Sequence, residues 1–175
     1  MSTDFPHLDP HGHAHMVDVT RKQSTDRHAS ASARVFMEPA TAERVAAGDL
    51  PAGDVLAAAR TAGVLAAKRA PDLLPLCHPV LVGAVALDFG VGDGFVEVVA
   101  HVEALDRTGV EMEALAACSA AALTIYAACK SADRTMSIGE VAVLAKSGGR
   151  SGTWVRDPSG AVRHVPAPSG EVERR

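Results

Sequence analysis

Eight basic side chains could serve one anionic ligand: Lys22, Arg27, Arg60, Lys68, Arg69, Lys130, Lys146 and Arg150. The last two flank or sit within a glycine- and serine-rich stretch, Lys146 to Gly152 (KSGGRSG). Successive backbone N–H groups in such a loop, with cations beside them, can cradle phosphate. The same composition also makes a flexible linker, and composition alone does not bring the eight cations together. Cys77 and His78 are neighbours in sequence. Adjacent residues of an extended chain point to opposite sides, so they are not expected to form a catalytic dyad. His78 by itself is open to a structural reading and to a ligand-contacting one. Glu111 and Glu113 precede a long apolar stretch that Lys130 closes, an arrangement that complements a helix dipole without any chemistry. His7, His11, His13 and His15 alternate near the N-terminus. That spacing suits a transition metal or a solvated tail, and no Cys or carboxylate cluster completes a metal site.

The elements that must position these groups follow from periodicity. Asp106 to Lys130 reads as one long helix, with Asp106 and Thr108 as candidate caps. Met112, Leu115, Ala116, Leu123 and Tyr126 recur at helical steps, and the rest is mostly Ala, Ser and Cys. Small side chains allow close approach, so burial on more than one side is expected. Asp54 is a good cap for a second helix, Val55 to Arg69, which Pro71 stops. A short helix, Thr41 to Ala47, should close at Gly48. Three prolines within Lys68–Pro79 predict a stiff connection, which suits a binding wall. Ala33–Met37 reads as the end of a first strand that starts near Ser30, and further strands are expected over Val80–Phe89, Gly94–Val102 and Met136–Ala145, with a hairpin turn at residues 90–93. Met16–Lys22 favours β structure, and Ser24–Ser32 reads as irregular. Thr153–Val155 and Ala161–Val165 should pair across the turn signal at residues 157–160.

The order strand, helix, strand, strand, helix, strand is the ferredoxin-like β-α-β-β-α-β pattern of an α+β protein. An antiparallel sheet covered on one face by two helices is expected. The other face is expected to be apolar and to pack against a partner, making an oligomer with sites at subunit boundaries. Residues 1–14 read as a mobile arm, 15–165 as a single domain and 166–175 as a tail.

Composition bounds the function classes. The chain has 175 residues, enough for one domain, with a net charge of -4 and a pI near 6.0. Bulk charge therefore does not favour nucleic acid, and 3% aromatic residues leave little for base stacking. No long apolar run free of charges suggests a membrane span, and no basic-then-apolar leader suggests export. Cys77, Cys118 and Cys129 are odd in number and lack Cys-x-x-Cys spacing, which favours reduced thiols in the cytoplasm. There is no internal repeat, no Gly-x-Gly-x-x-Gly run and no Walker-type loop.

Four stretches carry a resemblance: MVDVTRK from Met16, AARTAGVLAAKRAPDLLPLCHP from Ala58, DRTGVEMEALAACSAAALTIYAACK from Asp106 and LAKSGGRSG from Leu144. Together, from about His15 to about Trp154, they resemble the MoaC family, the cyclic pyranopterin monophosphate synthases of molybdenum-cofactor biosynthesis. The resemblance implies a ferredoxin-like homohexamer, a trimer of dimers, that needs no cofactor. It implies a lyase acting on a 3′,8-cyclised dihydro-GTP made by a radical enzyme. The purine imidazole is opened and rebuilt as a pyranopterin, and a cyclic phosphate closes with loss of pyrophosphate. Leu76, Cys77, His78, Met112 and Glu113 correspond to the family pocket, and Lys130 to a catalytic lysine. Lys68 is read as a second catalytic cation, and Lys22, Arg27, Arg60 and Lys146 as partners of the triphosphate. The chain departs from the family pattern at two catalytic positions, Ala52 in place of Lys and Ala127 in place of Asp. Asp54, Asp133 and Glu140 stand as candidate substitutes in acid–base work.

Overall fold

Ala29, Ala31, Ala33 and Val35 alternate with Ser30, Ser32 and Arg34, and this run forms the middle of the sheet. A computed structural model describes residues 6–166 of the chain. Its strand β1 spans Thr25–Phe36 and so begins before the expected start near Ser30. Serine and alanine are poor strand formers alone. They hold here because β1 is hydrogen-bonded on both sides, with the alanines wholly buried or nearly so. Met16–Lys22, by contrast, is not a strand. Asp18 accepts from the Thr20 N–H and hydroxyl, at 2.8 and 2.6 Å, and turns the chain before it can extend.

After β1 come α1 (Pro39–Ala47), α2 (Val55–Lys68) and the single turn α3 (Ala70–Leu73), which lies within the expected stiff connection. Gly48 closes α1 in the left-handed region at φ 67°, and the Asp54 carboxylate caps α2 by accepting from the Ala57 N–H at 2.9 Å. Strands β2 (Val82–Gly92) and β3 (Phe95–Asp106) are longer than expected and meet at a tighter turn, Asp93-Gly94. Helix α4 runs from Glu111 to Cys129, so it begins five residues later than expected. Asp106 instead ends β3, and neither it nor Thr108 caps the helix. Then follow β4 (Ser137–Ser147), β5 (Thr153–Arg156) and β6 (Val162–Val165), the last two pairing as expected.

The six strands form one antiparallel sheet in the order β2-β3-β1-β4-β5-β6. Helices α2 and α4 cover one face. Val96, Val98, Ala100 and Val102 of β3 meet the small face of α4, where Ala114, Ala117, Cys118, Ala121, Ala122, Ile125 and Cys129 are buried. Close approach is literal at Gly63 of α2: a Cβ there would lie 2.4 Å from Leu87 Cδ2 and 3.0 Å from the Ala117 carbonyl. Helix α4 is long and apolar enough to cross a membrane, but it lies on β1, β3 and β4 and alongside α2.

The uncovered face is mixed rather than uniformly apolar as expected. It carries Arg34 bridging Glu97 at 3.0 Å and Glu140 at 2.9 Å, with His28 beside Glu103 and His101 beside Asp88. The even-numbered residues of β3 face the helices, and on its other side Glu97, His101 and Glu103 stand among the apolar Phe95, Val99 and Leu105. Residues 1–5 of the expected arm lie outside the described residues, and the rest of it makes local contacts. Leu8 bridges Ala14, and Asp9 Oδ1 accepts from the His11 and His13 N–H groups at 2.8 Å, closing a small loop. The tail after Pro166 lies outside the described residues.

Asp133 is buried between α4 and β4. Its carboxylate accepts from the Glu38 N–H at 2.7 Å, the Thr135 hydroxyl at 2.7 Å and the Thr135 N–H at 2.8 Å. The Glu38 bond, then the Thr135 bonds, hold its pKa below the usual carboxylate value. A depressed pKa contributes stability above the unfolded value, about 3.9, and that contribution is lost as pH falls through the lower folded value. Asp133→Asn should therefore lower the urea midpoint at neutral pH. It should also flatten the loss of stability below about pH 4, as followed by circular dichroism.

Candidate active site

Topology sorts the candidate residues to two ends of the helix–sheet layer. The register pairs Thr25 with Asp106, His28 with Ser147 and Val82 with Ala104, so the start of β1, the end of β3, the end of β4 and the start of β2 share one end. Helix α2 returns the chain to that end and finishes there at Lys68. Helix α4 starts there. Phe36 pairs with Phe95 and Ser137 at the opposite end, where α4 finishes.

At the first end, Cys77 and Glu113 meet. The Cys77 thiol donates to Glu113 Oε1 at 3.5 Å, and Glu113 is 1% exposed. Its Oε2 is buried without a partner, a state shared among the described residues with Thr108 Oγ1. Burial raises the Glu113 pKa, with the carboxylates of Glu111 and Asp106 adding to the effect. Burial first, then the Glu113 charge, pushes the Cys77 thiol up to about 11. The thiol is thus a neutral donor at working pH rather than a nucleophile. Leu76 and His78 are half-buried beside Cys77, and Met112 is exposed next to Glu113. The extended Cys77-His78 pair forms no dyad: the thiol turns to Glu113 and to the His78 carbonyl. Asp18 belongs near this end too. Its pKa is lowered chiefly by the Thr20 hydroxyl, with His78 a smaller contributor. Sequence reasoning passed over Asp18, whose signal would have been a lone carboxylate preceding a basic pair.

Two of the cations here are structural anchors. Arg27 is buried, and it donates through Nε to the Asp106 carbonyl at 3.0 Å and through Nη2 to the Arg107 carbonyl at 3.1 Å. Lys146 is buried as well, and its ammonium donates to Ser151 Oγ and, at 3.3 Å, to the Gly148 carbonyl. The Lys146–Gly152 loop is therefore folded onto its own lysine and is not a free linker. Gly148 and Gly149 adopt φ values of 91° and 72°, and Cβ atoms there would lie 2.1 Å from the Asp26 carbonyl oxygen and 1.8 Å from Arg27 Nη1. Gly148→Ala combines a left-handed backbone with a backbone clash and should cost about 1–3 kcal/mol, read as a lower thermal midpoint. Lys22 and Lys68 are exposed.

The remaining candidates lie elsewhere. Arg60 donates to the Leu87 carbonyl and stacks over Phe89 at 5.0 Å, next to a surface hollow of about 380 Å³ between α1 and α2 that Asp54 and Gly48 also line. Lys130 is exposed just past α4. It stands seventeen positions after Glu113, a span of about 25 Å along a helix. One chain therefore cannot bring Glu113 and Lys130 to one small ligand. None of the three substitute carboxylates is free: Asp54 caps α2, Asp133 holds Glu38 and Thr135, and Glu140 pairs with Arg34. No group of three His, Cys, Asp or Glu side chains is gathered for a metal among the described residues, those of the His7–His15 loop included.

Residues 16–149 match the family model described as the MoaC family. The chain belongs to the MoaC family. It is 55% identical over 157 residues to a cyclic pyranopterin monophosphate synthase of Roseiflexus sp. (strain RS-1), covering 89% of this chain and 99% of that protein. Relatives of the same name from Geobacter sulfurreducens and Streptomyces griseus subsp. griseus are 50% and 51% identical, over 87% and 86% of this chain and 97% and 85% of theirs. In MoaC terms, the Cys77–Glu113 pair sits at the pocket positions implied by the resemblance. Ala127 is exposed on α4 three residues before Lys130, and Ala52 is exposed in the turn before α2.

Proposed function

We propose that the chain is a cyclic pyranopterin monophosphate synthase, a lyase that takes 3′,8-cyclised dihydro-GTP to the pyranopterin and releases pyrophosphate. One observation carries the reading: about half of all positions are identical to synthases of that name, nearly end to end. That identity disfavours a diverged enzyme for another cyclised nucleotide and a purely binding role. The geometry is in keeping with it. A buried, unpartnered Glu113 oxygen suits an N–H edge of a guanine-derived ring. A triphosphate carrying about four negative charges needs several cations, and Lys22, Lys68 and the Lys146 loop lie at or lead to the Glu113 end. Arg27 serves that loop as a positioning residue. Lys130 stabilises phosphoryl charge as the cyclic ester closes, with Arg60 on the same half.

Because Glu113 and Lys130 sit at opposite ends of α4, the reading requires that a second copy of the chain supply Lys130. A homo-oligomer, a trimer of dimers, follows from the resemblance. The outward Met112 and Leu123, 39% and 60% exposed on a helix already apolar inside, support a covered outer face. The strand order β4-β1-β3-β2 with two crossover helices supports the ferredoxin-like assignment, with β5 and β6 added at one edge. Residues 15–165 form the domain. Three unpaired thiols support a cytoplasmic setting. The test is product analysis: purified protein given the cyclised GTP intermediate should yield pyranopterin and pyrophosphate in equal amounts. Binding without either product would overturn the assignment.

A further inference from the structure

The two oxygens of the Glu113 carboxyl are not equivalent. Oε1 accepts from the Cys77 thiol at 3.5 Å, whereas Oε2 is buried without a hydrogen-bond partner. Glu113 lies in the first turn of α4 and Cys77 at the end of the proline-bounded connection, so two separately anchored elements fix this contact. A buried acceptor left open is costly, and it persists where a ligand is meant to fill it. We propose that Cys77 is a positioning residue: its thiol occupies Oε1, fixes the carboxyl rotamer, and leaves Oε2 as the one acceptor open to an N–H of the bound base. The proposal rests on the activity assigned above for its ligand, but the Cys77–Glu113 coupling stands on the geometry alone.

The sulfur matters for a physical reason. A thiol is a weak donor, so it orients the carboxyl while stabilising its charge little. The groups that bear on Glu113 are Cys77 across the gap, its own backbone N–H, and the Glu111 and Asp106 carboxylates, which oppose its ionisation. Serine in place of Cys77 would donate more strongly to the carboxylate, and alanine would not donate. The Glu113 proton should therefore come off at lower pH in Cys77→Ser and at higher pH in Cys77→Ala. A residue that merely fills space, or merely touches the substrate, would not move this proton in opposite directions.

Infrared difference spectroscopy tests this on the intact chain. The carbonyl band of protonated Glu113, assigned by its loss in Glu113→Gln, is followed against pH in wild type, Cys77→Ala and Cys77→Ser. The Cys77 S–H band, assigned by its loss in Cys77→Ala, is expected to shift in Glu113→Gln. Opposite displacement of the Glu113 titration by Ser and Ala supports the proposal. Unchanged titrations, or equal ones in the two variants, overturn it whether or not the chain turns over. With the cyclised GTP intermediate, Cys77→Ala should raise KM roughly three- to tenfold, the loss of one weak hydrogen bond, with kcat little changed and partial recovery in Cys77→Ser. A wild type that makes no product would count against the assigned activity and leave the infrared result to decide the coupling.

Discussion

The double substitution Ala52→Lys with Ala127→Asp is expected to raise turnover of the cyclised GTP intermediate by about three orders of magnitude or more. A positioned acid or base contributes roughly 10²–10⁴-fold, and groups that act as a unit are not additive, so the double variant should exceed either single one. The structure gives three reasons to expect the gain. Ala127 is exposed and lies one helical turn before Lys130, so a carboxylate there would neighbour the ammonium. Ala52 is exposed in the turn between Pro51 and Gly53, where a longer side chain has room to extend into solvent. The carboxylates that could have substituted are already held: Asp54 at the α2 cap, Asp133 under Glu38, and Glu140 against Arg34. Both changes lie at the surface and should leave the thermal midpoint within about a degree or two. Single-turnover release of pyrophosphate measures the effect. Equal rates in the double variant and the parent chain would mean that the pocket works through other groups.

How much of this was legible depended on whether local chemistry or distant partners decided each element. Asp54 and Gly48 are local punctuation, and the α2 start and α1 end fell where they placed them. The hairpin of β5 and β6 was marked by Asp157-Pro158-Ser159-Gly160. The first half of β1 was not legible, because Ser and Ala become strand only when β3 and β4 flank them. The start of α4 was misplaced because Asp106 and Thr108 look like caps, yet Asp106 is claimed by the ladder of β3 through its pairing with Thr25. The site divided in the same way. Cys77, His78 and Glu113 came from a resemblance, and the Cys77–Glu113 contact needed the fold. The buried anchoring roles of Arg27 and Lys146 were invisible, since charge suggests exposure and a ligand, and the carbonyls they hold carry no sequence signal. The separation of Glu113 from Lys130 was, however, already contained in the reading of one long helix, once its residues are counted as length.

That separation leads to the second large effect. If each pocket joins Glu113 of one copy to Lys130 of another, then Glu113→Gln and Lys130→Ala should each abolish turnover alone and restore it when mixed. In a two-fold pair that combines the two variants, one pocket carries both changes and the other carries neither. Random pairing makes about half of the pairs mixed, with half of their pockets intact, so co-expression should return about one quarter of the parent rate. Placing both variants in the background of the Ala52→Lys and Ala127→Asp double substitution makes the signal easy to read. A site built within one chain gives no recovery, because every pocket then carries one lesion. The spacing of about 25 Å along α4 forbids that alternative unless Lys130 takes no part. In that case Lys130→Ala would keep its activity when assayed alone. The two single variants and their mixture thus separate a shared pocket from an idle lysine. The same measurement reports on assembly, since recovery that appears on co-expression but not on mixing purified proteins means that the subunits exchange slowly.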